Sequence, residues 1–167
     1  MLKLLSPTYL SNSVFTIDYD ILRSEGYDCL LFDVDNTLTP DGGPVAPEIS
    51  SLFKNLAARG FRIILISNGS PERVAPFGSK AGVKYIYRAG KPGANGIKKA
   101  LKYCRAASKK AILIGDQIFS DILSANRAGI ASCLVRPVDP KEPWAVRIKR
   151  PLERSVLHKI EHKIARI

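Results

Sequence analysis

Short apolar runs alternate with stretches of helical periodicity from Asp28 onwards, and this alternation constrains the fold more than any other feature. Five runs predict buried strands: "CLLFD" (29–33), "FRIILIS" (61–67), "VKYIY" (83–87), "AILIG" (111–115) and "ASCLV" (131–135). Helices are predicted between them, over 47–60, 71–82, 93–104 and 118–129. Strands joined through short helical connections form a parallel sheet covered on both faces. We therefore predict a single α/β domain over 1–167, a three-layer αβα sandwich with a Rossmann-like sheet.

The spacing of the cysteines and the lengths of the apolar runs indicate the cellular compartment of the protein. Cys29, Cys104 and Cys133 are isolated, without metal-site or disulfide spacing, which favours a reduced intracellular compartment. No run approaches the roughly 20 apolar residues of a membrane span. The first residues lack the apolar core and cleavage site of a secretory signal. These observations predict a cytoplasmic protein.

The net charge of +11 predicts an anionic partner: nucleic acid, an anionic membrane surface or a phosphorylated substrate. Charge alone does not choose among them. At the end of the chain, "RIKRPLERSVLHKIEHKIARI" (147–167) carries apolar residues at three- and four-residue steps, namely Leu152, Val156, Ile160, Ile164 and Ile167. This spacing predicts a basic amphipathic helix over about 147–167. Such a helix either packs its apolar stripe on the domain or lies on a bilayer.

Polar residues cluster where the predicted strands end, and ligands bind at the carboxyl ends of strands in open α/β sheets. The residues expected there are Asp33, Asp35, Asn36, Thr37, Ser67, Asn68, Lys91 and Asp116, with Asp121 one turn into the following helix. Singly, each suits a helix cap or a turn. Together, four carboxylates, a hydroxyl, an amide and a lysine are too concentrated for caps alone.

The pair Asp33 and Asp35 raises a specific question about charge. Side chains two apart on a strand point to the same side, so these carboxylates repel unless a cation, a proton or hydrogen-bond donors lie between them. Magnesium prefers such oxygen ligands. We expect a metal near Asp33 and Asp35, closed from the other side by Asp116. The neighbouring hydroxyl, amide and lysine suit the oxygens of a phosphate.

Four segments resemble the motifs of the haloacid-dehalogenase-type phosphatases. "DVDNTL" resembles their first motif, DxDx(T/V), and "ISN", "KP" and "GDQIFSD" are similar to the second, third and fourth. The order of the segments and their places at strand ends match as well. A single DxD is common, whereas four motifs in order on separate strands are specific.

The resemblance implies a role for each residue. Asp33 would be the nucleophile that forms an aspartyl phosphate, and Asp35 would be the general acid and base. The implied magnesium ligands are Asp33, Asp116 and, through its backbone carbonyl, Asp35. The implied contacts of the transferring phosphoryl group are Ser67, Asn68 and Lys91. Asp121 and Thr37 would contact these residues and not the substrate itself. Asp121 would anchor Lys91 or a metal-bound water.

The short connections leave no room for an inserted cap domain, since 34 positions separate Asp33 from Ser67 and 25 separate Lys91 from Asp116. An open site favours a phosphate on a large or anchored substrate. "GYDCLLFDVDNTLTP", "GDQIFSDILSANRAG" and the pattern Arg150-Pro151-Leu152-Glu153 resemble the YqeG type of class IIIA phosphatases. That group is related to the mitochondrial and plastid phosphatidylglycerophosphatases. The resemblance implies dephosphorylation of phosphatidylglycerophosphate to phosphatidylglycerol, peripherally on the inner face of a membrane, the matrix face in a mitochondrion.

Two alternatives stay open. A phosphatase acting on nucleic-acid ends would use the same site, because capless relatives act on such ends and a basic chain binds the polymer; the interleaving of aromatic and basic residues typical of single-strand binding is not evident. A non-catalytic basic binding module would keep the fold as a scaffold. It predicts decay of at least one catalytic residue, whereas all are present.

Overall fold

The predicted strands form one parallel sheet in the computed structural model, which describes residues 2–141 and 144–167; positions 1, 142 and 143 of the predicted domain lie outside this range. The strands are β1 Tyr9–Leu10, β2 Cys29–Phe32, β3 Arg62–Ile66, β4 Lys84–Ile86, β5 Ala111–Gly115, β6 Ala131–Leu134 and β7 Ala165–Arg166. The helices are α1 Leu2–Leu5, α2 Tyr19–Ser24, α3 Pro47–Ala58, α4 Pro71–Ala81, α5 Asn95–Cys104, α6 Leu123–Ala128, α7 Trp144–Arg147 and α8 Arg150–Ile160. The predicted three-layer α/β fold is confirmed.

The two faces of the sheet are covered by different helices because strand side chains alternate in direction. In β2, Leu30 and Phe32 join the core beneath α3 and α4, whereas Cys29 and Leu31 join the core beneath α5 and α6. All four residues are fully buried. A strand buried on both faces is continuously apolar, and this explains why the sequence pattern located β2, β3 and β5 closely.

The strand order β4-β3-β2-β5-β6-β1-β7 places a reversal of the winding at the centre of the sheet. The chain runs from β2 outwards through β3 to β4, and then returns to the other side of β2 as β5. Helices after β2 and after β5 therefore lie on opposite faces, which opens a crevice at the carboxyl ends of these two strands. The topology brings the residues that follow β2, β3, β4 and β5 to one edge.

The C-terminal segment differs from the predicted helix over about 147–167. Helix α8 ends at Ile160, a 3₁₀ turn covers Glu161–Lys163, and β7 then pairs with β1 in parallel. The physical reason is tertiary: β1 presents an unpaired edge, and the backbone of 165–166 completes it. Most of the predicted apolar stripe packs on the domain, with Val156 and Leu157 against Leu10 and Leu134.

The described helices are all too short, or too polar, to cross a bilayer. The longest is α3, with 12 residues. All three cysteines are free and buried, as expected for inert structural thiols.

Candidate active site

Asp33 lies at the centre of the carboxyl edge, one residue beyond β2. Its backbone N–H donates to the carbonyl of Ile114 at 2.9 Å, so the ladder with β5 continues to this residue. Its side chain is 8 % exposed, and its Oδ1 accepts a hydrogen bond from Lys91 Nζ at 2.5 Å. The predicted nucleophile is therefore a buried carboxylate held in direct contact with a buried ammonium group.

Lys91 joins two carboxylates, because its Nζ also donates to Asp121 Oδ1 at 2.6 Å. Burial disfavours the ammonium charge, but the carboxylates of Asp121 and Asp33 outweigh that effect and raise the pKa of Lys91. The lysine stays charged at any physiological pH. A fixed positive charge beside the nucleophile stabilises the negatively charged oxygens of a phosphate group that approaches Asp33.

Asp116 follows β5, and the hydroxyl of Thr37 connects its carboxylate to that of Asp33. Thr37 Oγ1 is 3.0 Å from Asp116 Oδ1 and 3.3 Å from Asp33 Oδ2, so its hydroxyl bridges the two carboxylates. The other oxygen of Asp116, Oδ2, contacts Arg150 Nη2, and Arg150 Nη1 donates to the Asp116 backbone carbonyl at 2.7 Å. Asp116 is thus oriented from both sides.

Asp121 reaches the site from a single turn of π-helix, Ile118–Ile122, which precedes α6. Its Oδ2 accepts a hydrogen bond from the N–H of Gln117 at 3.1 Å, which ties the side chain to the end of β5. A Cβ atom at Gly115 would lie 2.5 Å from the Asp121 carboxyl carbon, so only glycine permits this approach. The predicted contact of Asp121 with Lys91 is present.

Three buried carboxylates, those of Asp33, Asp116 and Asp121, offer oxygen atoms within 4.8 Å of one another. Burial raises the pKa of Asp33 to about 8; Lys91 opposes this increase, and the charges of Asp121 and Asp116 add to it. Burial and the charge of Asp121 raise the pKa of Asp116 to about 6, against the opposing effect of Arg150. Hard oxygen donors with excess negative charge fit a divalent cation.

The side chain of Asp35 lies outside this cluster, and the metal contact expected of its backbone carbonyl stays a prediction. Among the described residues the third grouped carboxylate is that of Asp121. Strand β2 ends at Phe32, its last hydrogen bond with β5 is made by Asp33, and the chain then turns at Asn36 with a φ of 62°. The rule that side chains two apart share a side therefore does not extend to Asp35.

Asp35 instead occupies the more open part of the site. Its Oδ1 accepts hydrogen bonds from Arg73 Nη2 at 2.7 Å and from the N–H of Gly42 at 3.1 Å. The side chain is 25 % exposed, against 8 % for Asp33. A more exposed carboxylate next to a buried one is suited to exchange a proton with an incoming or leaving group. Arg73 lies in the first turn of α4, and nothing in the local sequence singled it out.

Ser67 and Asn68 follow β3, and the structure gives them different tasks. Ser67 Oγ is buried and accepts the N–H of Gly69 at 3.0 Å, which leaves its proton for a phosphate oxygen. The amide of Asn68, predicted to contact the phosphoryl group, forms two 2.8 Å hydrogen bonds with the backbone N–H and carbonyl of Lys91. Its side chain therefore positions the Lys91 loop.

Two residues of α8, Arg150 and Glu153, reach the site. The sequence indicated them only as members of the pattern Arg150-Pro151-Leu152-Glu153, without a role. Glu153 is buried, accepts the N–H of Phe119 at 2.9 Å and contacts Arg150 Nη1 at 2.8 Å. Burial raises the pKa of Glu153, while the Phe119 N–H and Arg150 act in the opposite direction. The contacts of Arg150 and Glu153 link α8 to the segment from Asp116 to Asp121. Glu153 is the sole acidic residue between 147 and 160, and this is the feature that could have revealed it.

Replacing Glu153 with alanine should lower the free energy of unfolding by about 1–3 kcal/mol, because the buried Phe119 N–H and the Arg150 guanidinium lose their acceptor. Urea denaturation measures this change. Glu161→Ala is the matched control: that carboxylate is 39 % exposed, and its ion pair with Arg166 at 3.9 Å is worth about 0–1 kcal/mol. Equal losses in the two variants would contradict the role given to Glu153.

No inserted domain covers this edge in the described part of the chain. Residues between Asp33 and Ser67 form a turn, α3 and β3, and those between Lys91 and Asp116 form α5, a 3₁₀ turn and β5. The expected absence of a cap is confirmed.

Comparisons with known proteins agree with this geometry. Residues 40–129 match the family model of the haloacid dehalogenase-like hydrolases. The protein named probable phosphatase YqeG of Bacillus subtilis is 28 % identical over 162 residues, which cover 96 % of this chain and 94 % of that protein. Phosphatidylglycerophosphate phosphatase 1 of Arabidopsis thaliana is 28 % identical over 152 residues, 84 % of this chain; the chain spans 44 % of that longer protein.

Among solved structures, the cobalt-bound deoxy-D-mannose-octulosonate 8-phosphate phosphatase of Haemophilus influenzae superposes with a TM-score of 0.54. It is 12 % identical, and the alignment covers 80 % of this chain and 89 % of that one. At this identity the likeness concerns the fold alone. The family match, the relatives and the site together lead to one assignment: the chain belongs to the haloacid dehalogenase-like hydrolase family, as one of its phosphatases.

Proposed function

We propose that this phosphatase hydrolyses phosphomonoesters through an aspartyl phosphate on Asp33, with Mg²⁺ as its cofactor. The observation that carries the proposal is the contact between buried Asp33 and Lys91, inside a cluster of three carboxylates. Asp33, Asp116 and the backbone carbonyl of Asp35 would hold the ion, with Asp121 nearby. When bound, the cation neutralises negative charge on the phosphoryl oxygens and on the carboxylates.

The positions of the side chains support the following steps. An oxygen of Asp33 attacks phosphorus, the bond to the alcohol oxygen breaks, and Asp35 donates a proton to that oxygen. Water then attacks the aspartyl phosphate; Asp35 accepts a proton from it, and phosphate leaves as Asp33 is restored. Lys91 and the Ser67 hydroxyl bind phosphoryl oxygens throughout. Arg73 and the Gly42 N–H keep Asp35 on the open side, where the alcohol enters and leaves.

Replacing Asp35 with asparagine should reduce activity unequally on two substrates. An alkoxide needs a proton to leave, whereas p-nitrophenolate leaves without one, so the loss of kcat should be about 10²–10⁴-fold for glycerol 3-phosphate and smaller for formation of the phosphoenzyme from p-nitrophenyl phosphate. Rapid-mixing measurements of the first turnover give both rates. Equal losses on the two substrates would assign Asp35 a structural role instead.

We propose phosphatidylglycerophosphate as the substrate. The name of the Arabidopsis relative supports this choice, as does the uncapped site, which admits a head group attached to a membrane. A surface element suited to a bilayer lies close by: Trp144, Ile148 and Leu152, at four-residue steps, are 75, 65 and 62 % exposed. Exposed Arg147 and Lys149 stand among them. Apolar and aromatic side chains mixed with basic ones are typical of interfacial helices.

The test compares hydrolysis of phosphatidylglycerophosphate in vesicles with hydrolysis of 3′- and 5′-phosphorylated oligonucleotides, with the protein loaded with Mg²⁺. We expect a higher kcat/KM on the vesicles. Preference for an oligonucleotide end would replace the lipid with nucleic acid as the substrate. Hydrolysis of neither, and of no p-nitrophenyl phosphate, would leave a binding module as the function of the fold.

The membrane contact makes a separate prediction. Trp144→Ser should weaken binding to anionic vesicles by about 10- to 100-fold, because an indole buried in the lipid interface contributes on the order of 1.5–3 kcal/mol. Sedimentation with vesicles measures the partition coefficient. Tyr103→Ser is the control, since Tyr103 is also an exposed aromatic residue but lies on α5. Equal binding by the two variants would show that α7 does not face the lipid.

A further inference from the structure

The positive charge of the chain is concentrated in one segment. Between Glu72 and Asp116 the sequence carries eleven lysines and arginines and no acidic residue. This equals the whole net charge of +11, so the remainder of the chain is electrically balanced. Two of these cations, Arg73 and Lys91, belong to the candidate active site. The other nine are exposed, and the ion pairs found among the described residues involve none of them.

Part of this charge surrounds a surface pocket of about 870 Å³ at one edge of the sheet. Strand β4 forms that edge, since its partner among the described strands is β3 alone. Four cations line the pocket, Lys84 from β4 and Lys99, Lys102 and Arg105 from α5 and its C-terminal end, and the described lining includes no acidic side chain. Like charges around one pocket repel each other, and a bound anion relieves that repulsion.

Two tyrosines share the pocket with these cations. Tyr85 of β4 and Tyr103 of α5 line it, and Tyr103 is 55 % exposed. The Nζ of Lys84 lies 4.4 Å from the centroid of the Tyr103 ring, a cation–π contact that joins the strand to the helix. Exposed aromatic rings among basic side chains are typical of surfaces that bind single-stranded nucleic acid, because bases stack on the rings while the cations contact phosphates.

An anionic bilayer suits this surface less well than a nucleic acid does. Helices that lie on membranes insert apolar side chains into the lipid. Helix α5 instead directs Ile97, Leu101 and Cys104 into the protein core. Ile86, the aliphatic residue of the pocket lining, is buried as well. The surface therefore offers cations and an aromatic ring, but no aliphatic side chain for insertion.

The pocket lies at the end of the domain away from the candidate active site. Lys91 precedes α5 at the carboxyl edge of the sheet, whereas Tyr103 lies in the last turn of this ten-residue helix, about 15 Å further along its axis. Lys84 is the first residue of β4 and so lies at the amino edge. A strand bound in the pocket leaves Asp33 open, which makes its ligand distinct from the substrate.

We propose that α5 and the edge strand β4 form a binding surface for single-stranded nucleic acid, separate from the site of hydrolysis. A base stacks on Tyr103, and Lys99, Lys102 and Arg105 contact the phosphates of the strand. The proposal does not depend on the proposed function, because none of these residues belongs to the site at Asp33 and binding is measured without any hydrolysis.

The test measures the anisotropy of a fluorescent oligothymidylate and oligouridylate of about 12 nucleotides, which covers DNA and RNA. Both ends carry hydroxyl groups, so neither strand offers a phosphomonoester to Asp33. The double variant Lys99→Gln, Lys102→Gln should raise the Kd about tenfold or more at low salt. It should also reduce the slope of log Kd against log salt by about 1.4, since each phosphate contact of a single strand contributes about 0.7.

The matched control is Lys54→Gln, Lys159→Gln, which removes two exposed cations from α3 and α8. Its Kd and its salt slope should equal those of the wild type. Equal effects of the two double variants would show that only the total charge matters, and this would overturn the proposed surface.

An abasic oligonucleotide separates stacking from charge, because it carries the phosphates without the bases. Tyr103→Ser should raise the Kd for oligothymidylate about tenfold and leave the Kd for the abasic strand unchanged. Equal Kd values of Tyr103→Ser and wild type for oligothymidylate would overturn the assignment to nucleic acid. Binding to anionic vesicles that falls more than oligonucleotide binding in Lys99→Gln, Lys102→Gln would assign the surface to a membrane instead.

The rate of p-nitrophenyl phosphate hydrolysis shows where the oligonucleotide binds. With Mg²⁺ present, a saturating concentration of the hydroxyl-ended strand should leave this rate unchanged, because the pocket and Asp33 lie at opposite edges of the sheet. Competitive inhibition with a Ki equal to the Kd would place the strand at Asp33 and overturn the separate binding surface.

Discussion

Replacing Asp33 with asparagine is expected to reduce phosphatase activity by about 10⁴-fold or more, because the amide is a far poorer nucleophile than the carboxylate. Activity on p-nitrophenyl phosphate with saturating Mg²⁺ measures the loss. Asp41→Asn removes one negative charge from an exposed position eight residues further along the chain and serves as the control. Activity near the wild-type level in Asp33→Asn would refute the assignment of the nucleophile.

The same substitution should raise the stability of the metal-free protein, which shows that the loss of activity is not a loss of folding. The pKa of Asp33 is raised from 3.8 to about 8 in the folded protein. The folded state therefore keeps a proton that the unfolded state releases, and the wild type loses stability as the pH rises from about 4 to 8. Asp33→Asn lacks this slope. Thermal unfolding across that pH range, without metal, gives the comparison, and parallel curves would contradict the raised pKa.

Replacing Lys91 with methionine is expected to lower the free energy of unfolding by about 3–5 kcal/mol, the cost of leaving buried charges without their partner. The Lys91 side chain is 3 % exposed and contacts both Asp33 and Asp121, so two carboxylates lose their cation together. Activity should fall as well, since the charge beside the nucleophile is removed. Urea denaturation at pH 8, with Lys98→Met on the exposed side of α5 as the control, measures the effect on stability.

The pH dependence of the stability loss in Lys91→Met tests whether the loss arises from the missing positive charge. Without Lys91, which lowers the pKa of Asp33, this carboxylate takes up a proton more readily, so the difference in stability between variant and wild type should shrink as the pH falls from 8 to 5. A constant difference would point to lost packing of the lysine's methylene groups. The two substitutions thus have opposite effects on stability although both residues belong to one ion pair.

The places where sequence and structure agree are those where a local rule decides the outcome. Strand β5 spans Ala111–Gly115 in both, because a continuous apolar run between polar residues is buried on both faces of a sheet. Parallel strands also place their carboxyl ends at one edge, so the proximity of Asp33, Lys91 and Asp116 follows once the strands are assigned.

The places where they differ are those where distant segments compete for the same position. The carboxylates of Asp33 and Asp35 were expected on the same side, but the chain turns at Asn36 and the Asp35 carboxylate pairs with Arg73 of α4. The contact of Asn68 with the phosphoryl group stays a prediction, whereas the two hydrogen bonds of its amide with the backbone of Lys91 were not expected. The partners, Arg73 for Asp35 and Lys91 for Asn68, lie more than 20 residues away in the chain, and no local sequence pattern indicates these contacts.

The sequence by itself determined the parallel αβα sandwich, the edge at which the polar residues gather and the absence of a cap, because periodicity, strand ends and connection lengths are properties of neighbouring residues. Only the tertiary structure decided that the Asp121 carboxylate joins those of Asp33 and Asp116, and that the C-terminal segment ends in a strand beside β1 after α8 has brought Arg150 to Asp116. Those contacts join segments far apart in the chain. They depend on which buried groups are left in need of a partner once the sheet has formed.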